Sequence, residues 1–255
     1  MNKKDIAPAR RPLGGLVRGL LEEGITMEGS RFISRDPSSF ETLSRLLSMD
    51  RFATFIRAAG GSHERALRLY AWNIEISSAF WGSFHILEAS LRNALHQELT
   101  KMANQEDWWN ARLPLHTQTM KDVHTAVALA TQKHKKSLTI GHVVAELNLA
   151  CWSGMLANRY QKSLWEGSLI YAFPHYTGRR GALHDDLERL RMLRNRIAHH
   201  EPIFERNLAL DHDMLCGLLG YIEPEATAWV KKHSQVSAII GMKEGRLSGE
   251  LESSF

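Results

Sequence analysis

The chain has 255 residues and a mass of 29.0 kDa, enough for one large domain or two small ones, and its 44% hydrophobic content supports a globular core. Lys and Arg number 32 against 28 Asp and Glu, a net charge of +4 with a sequence pI near 9.1, which suits a polyanionic partner without requiring one. The two cysteines, Cys151 and Cys216, have neither the spacing nor the histidine pairing of a zinc site, and no apolar run approaches the roughly 18 residues of a membrane span. The composition therefore predicts a cytoplasmic protein that uses no metal and no cofactor.

Residues 1–37 are rich in Arg, Gly and Pro without periodicity and read as a basic, weakly ordered arm. A helix follows over 38–60, with Ser38 or Ser39 as N-cap, Glu41 close behind and Gly60-Gly61 as its stop. Residues 62–103 predict one long helix capped by Ser62, because Ile76, Phe80, Phe84, Leu87, Leu91, Leu95 and Leu99 step by three and four. Gly82, at a penalty of about 1 kcal/mol relative to alanine, marks a place for a kink. Residues 104–116 read as a loop, and 117–136 as a polar surface helix ending in the run KHKK. Residues 139–176 suggest two short helices before an aromatic turn at Phe173-Pro174. After the break at Gly178–Gly181, a helix resumes with Leu183, Leu187, Leu190 and Ile197 on one face. Pro202 disfavours helical geometry at Glu201, so this helix should end on His199 and His200. A last helix spans about 208–232, before a polar tail over 233–255. The expectation is all-α: a single domain over 38–232, built as a bundle of long antiparallel helices.

The polar residues of "LRMLRNRIAHHEPIF", 190–204, separate on a helical wheel. Arg194 falls inside the apolar stripe of Leu187, Leu190 and Ile197, whereas Arg191, Asn195 and His199 step by four along a second stripe. An arginine on a buried face must be paired or line a cavity, since an unpaired buried charge is too unfavourable. In the long helix, Glu88 can accept a bidentate bond from Arg194, leaving Arg92 for a phosphate, or it can pair with Arg92 four residues on. At about 100° per residue, Arg194 and His199 diverge by about 140°. For both to serve one site, the last turn must unwind, the arginine must reach around, or a second subunit must complete it. Trp72, Phe80, Trp81, Phe84, Trp152 and Trp165 read as core rather than base-stacking residues, and KHKK reads as a solvated face. Asp185 and Asp186 diverge on their helix and do not make a metal pair.

Arg194-Asn195 with His199 resembles the R-N-x-x-x-H motif of the HEPN superfamily of helical ribonucleases, and "RNRIAHHEPI" resembles its abortive-infection (Abi-like) branch. The phrases "LEASLRNAL" and "GHVVAELNLACW" with "SLWEGSLIYAFP" are similar to that family as well. The resemblance spans about residues 40–232. It implies a HEPN-like helical fold, a homodimer whose motif helices share one cleft, and metal-independent RNA cleavage by 2′-hydroxyl attack on the adjacent phosphate. It also implies a toxin-like or phage-defence role, with an antitoxin RNA or protein as a further partner. Arg194 would bind phosphate, His199 would act as base or acid, and Asn195 would orient one of them. Glu88, Arg92, Arg191 and His200 would support the site or bind RNA; His200 is the within-chain alternative to a second His199, the family pattern placing it instead packed or hydrogen-bonded against the loop at Glu201-Pro202. The alternative is a non-catalytic RNA-binding or regulatory module on the same fold, to which a histidine with a near-neutral pKa would add nothing.

Overall fold

A computed structural model describes residues 37–255; the arm expected over 1–37 lies, but for its last residue, outside them. Every described element is helical: α1 (Pro37–Leu47), α2 (Met49–Ala58), α3 (His63–Ala103), α4 (Thr117–His134), α5 (Ile140–Glu146), α6 (Leu149–Gly154), α7 (Arg180–Ala198), α8 (Leu208–Ile222), α9 (Pro224–His233), α10 (Val236–Gly241) and α11 (Lys243–Ser248). Short 3-10 turns and one π-turn at Gln161–Trp165 fill the connections. No strand occurs among the described residues.

The axis of the molecule is α3, 41 residues long. Ser62 accepts the Arg65 backbone N–H at 3.2 Å, and Asn104, at φ 53°, ends the helix in the left-handed region. All seven apolar positions read from the sequence are buried. The helix runs unbroken through Gly82, because each fully buried leucine or phenylalanine contributes about 1.5–3 kcal/mol against the roughly 1 kcal/mol lost to glycine. Around it, α2, α7, α8, α10 and α11 pack directly. The core is one continuous cluster centred on Trp72, Trp108, Trp152 and Tyr160, with Phe40, Phe52 and Leu67 forming a satellite beneath α1.

Three expectations are corrected. The helix expected over 38–60 begins at Pro37 and breaks at Ser48, whose φ of 74° leaves the helix and whose hydroxyl caps α2 by accepting from Arg51 N at 3.4 Å. The helix expected over 208–232 breaks at Glu223, extended at φ −154°, because Pro224 excludes the helical conformation before it. The residues expected as a polar tail fold back as α10 and α11: Val236 and Leu247 are buried, Trp72 Nε1 donates to the Ile239 carbonyl at 3.0 Å, and Arg246 pairs with buried Glu75 at 2.8 Å. One long helix thus organises many short ones, in place of a bundle of uniformly long helices.

Candidate functional site

Helix α7 is set by its apolar face and by arginines at its beginning and middle. Leu183, Leu187, Leu190, Leu193 and Ile197 are buried. Arg180, at the first turn, is buried and fully engaged: Nε donates to Gln161 Oε1 at 2.6 Å, Nη2 to Asn158 Oδ1 at 3.1 Å, and Nη1 to the Leu156 carbonyl. Arg189 donates to Asp211 of α8 at 3.1 Å, and Arg206 grips the same carboxylate from the intervening loop. That loop is fixed to α3 by Asn73 Oδ1, which accepts the Ile203 N–H at 2.8 Å.

The helix ends as the sequence predicts, on the two histidines, through a Schellman motif. His200 N donates to the Ile197 carbonyl at 3.0 Å and Glu201 N to the Arg196 carbonyl at 2.8 Å, with His200 at φ 56°. A non-glycine residue in the left-handed region stores roughly 1 kcal/mol or more. His199 is the C-cap, at φ −92° and ψ 8°, and its N–H still makes the helical bond to the Asn195 carbonyl at 2.9 Å. Helical geometry therefore persists to Ala198 and helical hydrogen bonding to His199, and the last turn does not unwind to bring His199 toward Arg194.

Arg194 leaves the apolar stripe through an ion pair. Its Nε donates to Glu88 Oε1 at 2.8 Å, with the two side chains 31% and 28% exposed, and its guanidinium lies 5.2 Å from the Trp81 ring centroid. The bond is single, not bidentate, and Glu88 makes no pair with Arg92. These residues line one small cleft of about 130 Å³ with Arg92 and His85. Arg92 has no hydrogen-bond or ion-pair partner among the described residues.

The remaining predicted residues lie elsewhere. Arg191 is committed to Glu188, which also accepts the Ser153 hydroxyl at 2.6 Å. Burial pushes the Glu188 carboxyl up, but the hydrogen bonds from Arg191 and Ser153 outweigh it and hold the pKa below the usual carboxylate range. Asn195 is half-buried and His199 exposed, and neither lines the Arg194 cleft. His200 is not packed against Glu201-Pro202 as expected: its side chain is exposed, its carbonyl accepts Arg51 Nη1 at 2.9 Å, and it lines a larger groove of about 880 Å³. The left-handed backbone at His200 turns its side chain out of the helix surface. KHKK is a solvated run, with Lys133 paired to Glu146 and His134 stacked on His142. Both cysteines are buried, and burial pushes the Cys151 thiol up to about 12, which removes it as a nucleophile.

One contributor, Arg51, escaped the sequence reading, and another, Trp81, was assigned there to the core. Arg51 joins α2 to the His200 turn, a contact across 149 residues that no local pattern signals. Trp81 is 45% exposed, whereas Trp72, Phe80, Phe84, Trp152 and Trp165 are buried as expected. A signal for Trp81 was available: Ser78, Trp81, His85, Glu88 and Arg92 step by three and four along the polar side of α3. Comparison of the chain with family models, with curated proteins and with solved structures gives no match.

Proposed function

We propose that the chain is a metal-independent endoribonuclease of the kind its R-N-x-x-x-H segment resembles, acting as a homodimer in an abortive-infection or toxin-antitoxin setting. The observation that carries this reading is the state of Arg194. One N–H of its guanidinium is fixed by Glu88, while the terminal nitrogens have no partner among the described residues and stand beside Arg92 in an open cleft. Two cations so placed, one of them held by Glu88, suit a phosphodiester whose charge grows during attack. In the reaction, the 2′-oxygen forms a bond to phosphorus and the bond to the 5′-oxygen breaks, leaving a 2′,3′-cyclic phosphate. A histidine takes the 2′-hydroxyl proton and an acid protonates the departing 5′-oxygen. His199 of one copy and His199 of a second copy supply both roles, and the roughly 140° between Arg194 and His199 on a regular helix favours a composite site.

Incubation of labelled RNA with the protein in EDTA, followed by analysis of the new 3′ ends, tests the reading. Cyclic phosphate ends are expected, and Arg194→Ala and His199→Ala should each abolish cleavage without changing the helical spectrum. Full cleavage by His199→Ala would reject the assignment. A second reading, an RNA-binding module without catalysis, is favoured by one observation: no histidine of the motif lines the Arg194 cleft within a single chain. RNA binding without product formation would select it.

A further inference from the structure

The polar stripe of α3 leads out of the Arg194 cleft into the larger groove. Trp81 lines both, so the two cavities meet at its indole. On the cleft side stand Arg194, over the indole ring, and Arg92; the groove beyond has walls from Leu46, Tyr70 and Ile74 and carries Arg51 and His200 at its rim. The acid–base balance of this surface is one-sided. Among the described residues that line the two cavities, the sole carboxylate is Glu88, and it is already bonded to Arg194.

We infer that Trp81 is a stacking platform for an unpaired base of a single-stranded RNA, seated in the groove between α1–α2, the first half of α3 and the C-terminal end of α7, next to the phosphate held by Arg194 and Arg92. The chemistry of the surface fits that ligand at each point. An indole 45% exposed between two cavities presents a π-surface to a base, and stacking of this kind tolerates any base sequence because every base has a π-face. Largely apolar walls limit water around the base, and cations with no acid but the engaged Glu88 among the described lining residues face the backbone. A duplex is excluded by the same geometry, since its bases are already stacked and paired and cannot reach an indole in a groove. Arg194 ties the two functions together, because one guanidinium contacts both the platform and the phosphate position.

The inference rests on the ribonuclease reading for its substrate, and the test separates the two. A short, fluorescein-labelled oligoribonucleotide carrying 2′-O-methyl groups throughout cannot be cleaved by 2′-hydroxyl attack, so its binding is read by anisotropy independently of catalysis. Trp81→Ala should weaken binding by roughly 5- to 150-fold, the range for losing one base-aromatic stack, and Trp81→Phe should stay within about fivefold of the unaltered protein. The same strand annealed to its complement should bind more weakly than the single strand. Trp81 is not part of the core, so both variants should keep the helical circular dichroism spectrum. Binding by Trp81→Ala equal to that of the unaltered protein, or equal losses in Trp81→Ala and Trp81→Phe, would overturn the platform. If the unaltered protein cleaves RNA while Trp81→Ala binds normally, the platform alone fails. If the unaltered protein neither binds the oligonucleotide nor cleaves RNA, the ribonuclease reading fails with it.

Discussion

Arg194 and Glu88 meet through a single hydrogen bond, Nε to Oε1 at 2.8 Å, across 106 residues of sequence. With both side chains about a third exposed, this pair is a weak source of stability, on the order of 0.2–1 kcal/mol. Its consequence is orientation: it uses Nε of the guanidinium and leaves the terminal nitrogens without a partner among the described residues. Glu88→Ala should therefore change the unfolding free energy by less than about 1 kcal/mol; on the proposed ribonuclease reading it should also lower the RNA cleavage rate by about tenfold or more, as Arg194 loses its fixed geometry. Urea unfolding and initial cleavage rates measure the two effects. A Glu88→Ala protein with normal cleavage would show that the pair does not position Arg194.

Much of this arrangement was legible in the sequence because it depends on helical periodicity. The stripe from Ile76 to Leu99 located α3, Pro202 located the end of α7, and the misplaced Arg194 announced a partner on another helix. What was not legible depends on contacts between distant segments. Arg51 reaches the His200 carbonyl, and α11 returns to Glu75, through residues whose local sequence is merely polar. The break at Ser48 was a matter of local competition, since a serine with an aspartate two residues on caps a helix as well as it sits inside one. Trp81 was misread because its residue type suggests core while its place on the wheel, among His85, Glu88 and Arg92, suggests surface; position decided.

The left-handed backbone at His200 offers a second prediction. Glycine adopts φ 56° without the clash that a Cβ introduces, so His200→Gly should stabilise the protein by about 1 kcal/mol. The Arg51 contact is to the main-chain carbonyl and survives the substitution. His199→Gly, at φ −92°, should bring no such gain. Thermal midpoints of the two variants make the comparison, and destabilisation by His200→Gly would mean that the imidazole contributes more than its backbone strain removes.

Acid should loosen the fold through two histidines. Burial lowers the pKa of His96, opposed by nearby Glu106, and burial likewise lowers that of His212, with Asp213 opposing and Lys231 reinforcing it. His96 Nδ1 accepts the Trp108 indole N–H at 3.0 Å, a bond that only the unprotonated nitrogen can accept. Because both folded pKa values lie below the ordinary value of about 6.5, the unfolded chain binds more protons in the window beneath it. Stability is thus fully present above that value and is lost as pH falls through the folded pKa values. Unfolding free energy should decline on acidification through this window, and His96→Gln, which keeps an acceptor without titrating, should show a shallower decline. Identical pH slopes for the two proteins would remove His96 from the account.

Asp211 is the strongest structural test of how α7 is held. Its side chain is fully buried and accepts three hydrogen bonds, from Arg189 Nε at 3.1 Å and from Arg206 Nε and Nη2 at 2.8 and 2.9 Å. Removing a buried partner leaves charge without compensation, a loss of about 3–5 kcal/mol when the surviving group is itself buried. Here Arg189 is 40% exposed and Arg206 19%, so water can recover part of that loss for one arginine more than for the other. Asp211→Ala should consequently cost about 2–4 kcal/mol, read from urea midpoints. Asp211→Asn, which keeps one acceptor and the volume, should cost less. Because Arg206 lies in the loop that follows His199 and His200, the alanine variant should also expose that loop to protease earlier than the core. A loss confined to global stability, with unchanged proteolysis of the loop, would mean that the Asn73 to Ile203 bond and the Arg51 contact to the His200 carbonyl keep the helix end in place without Asp211.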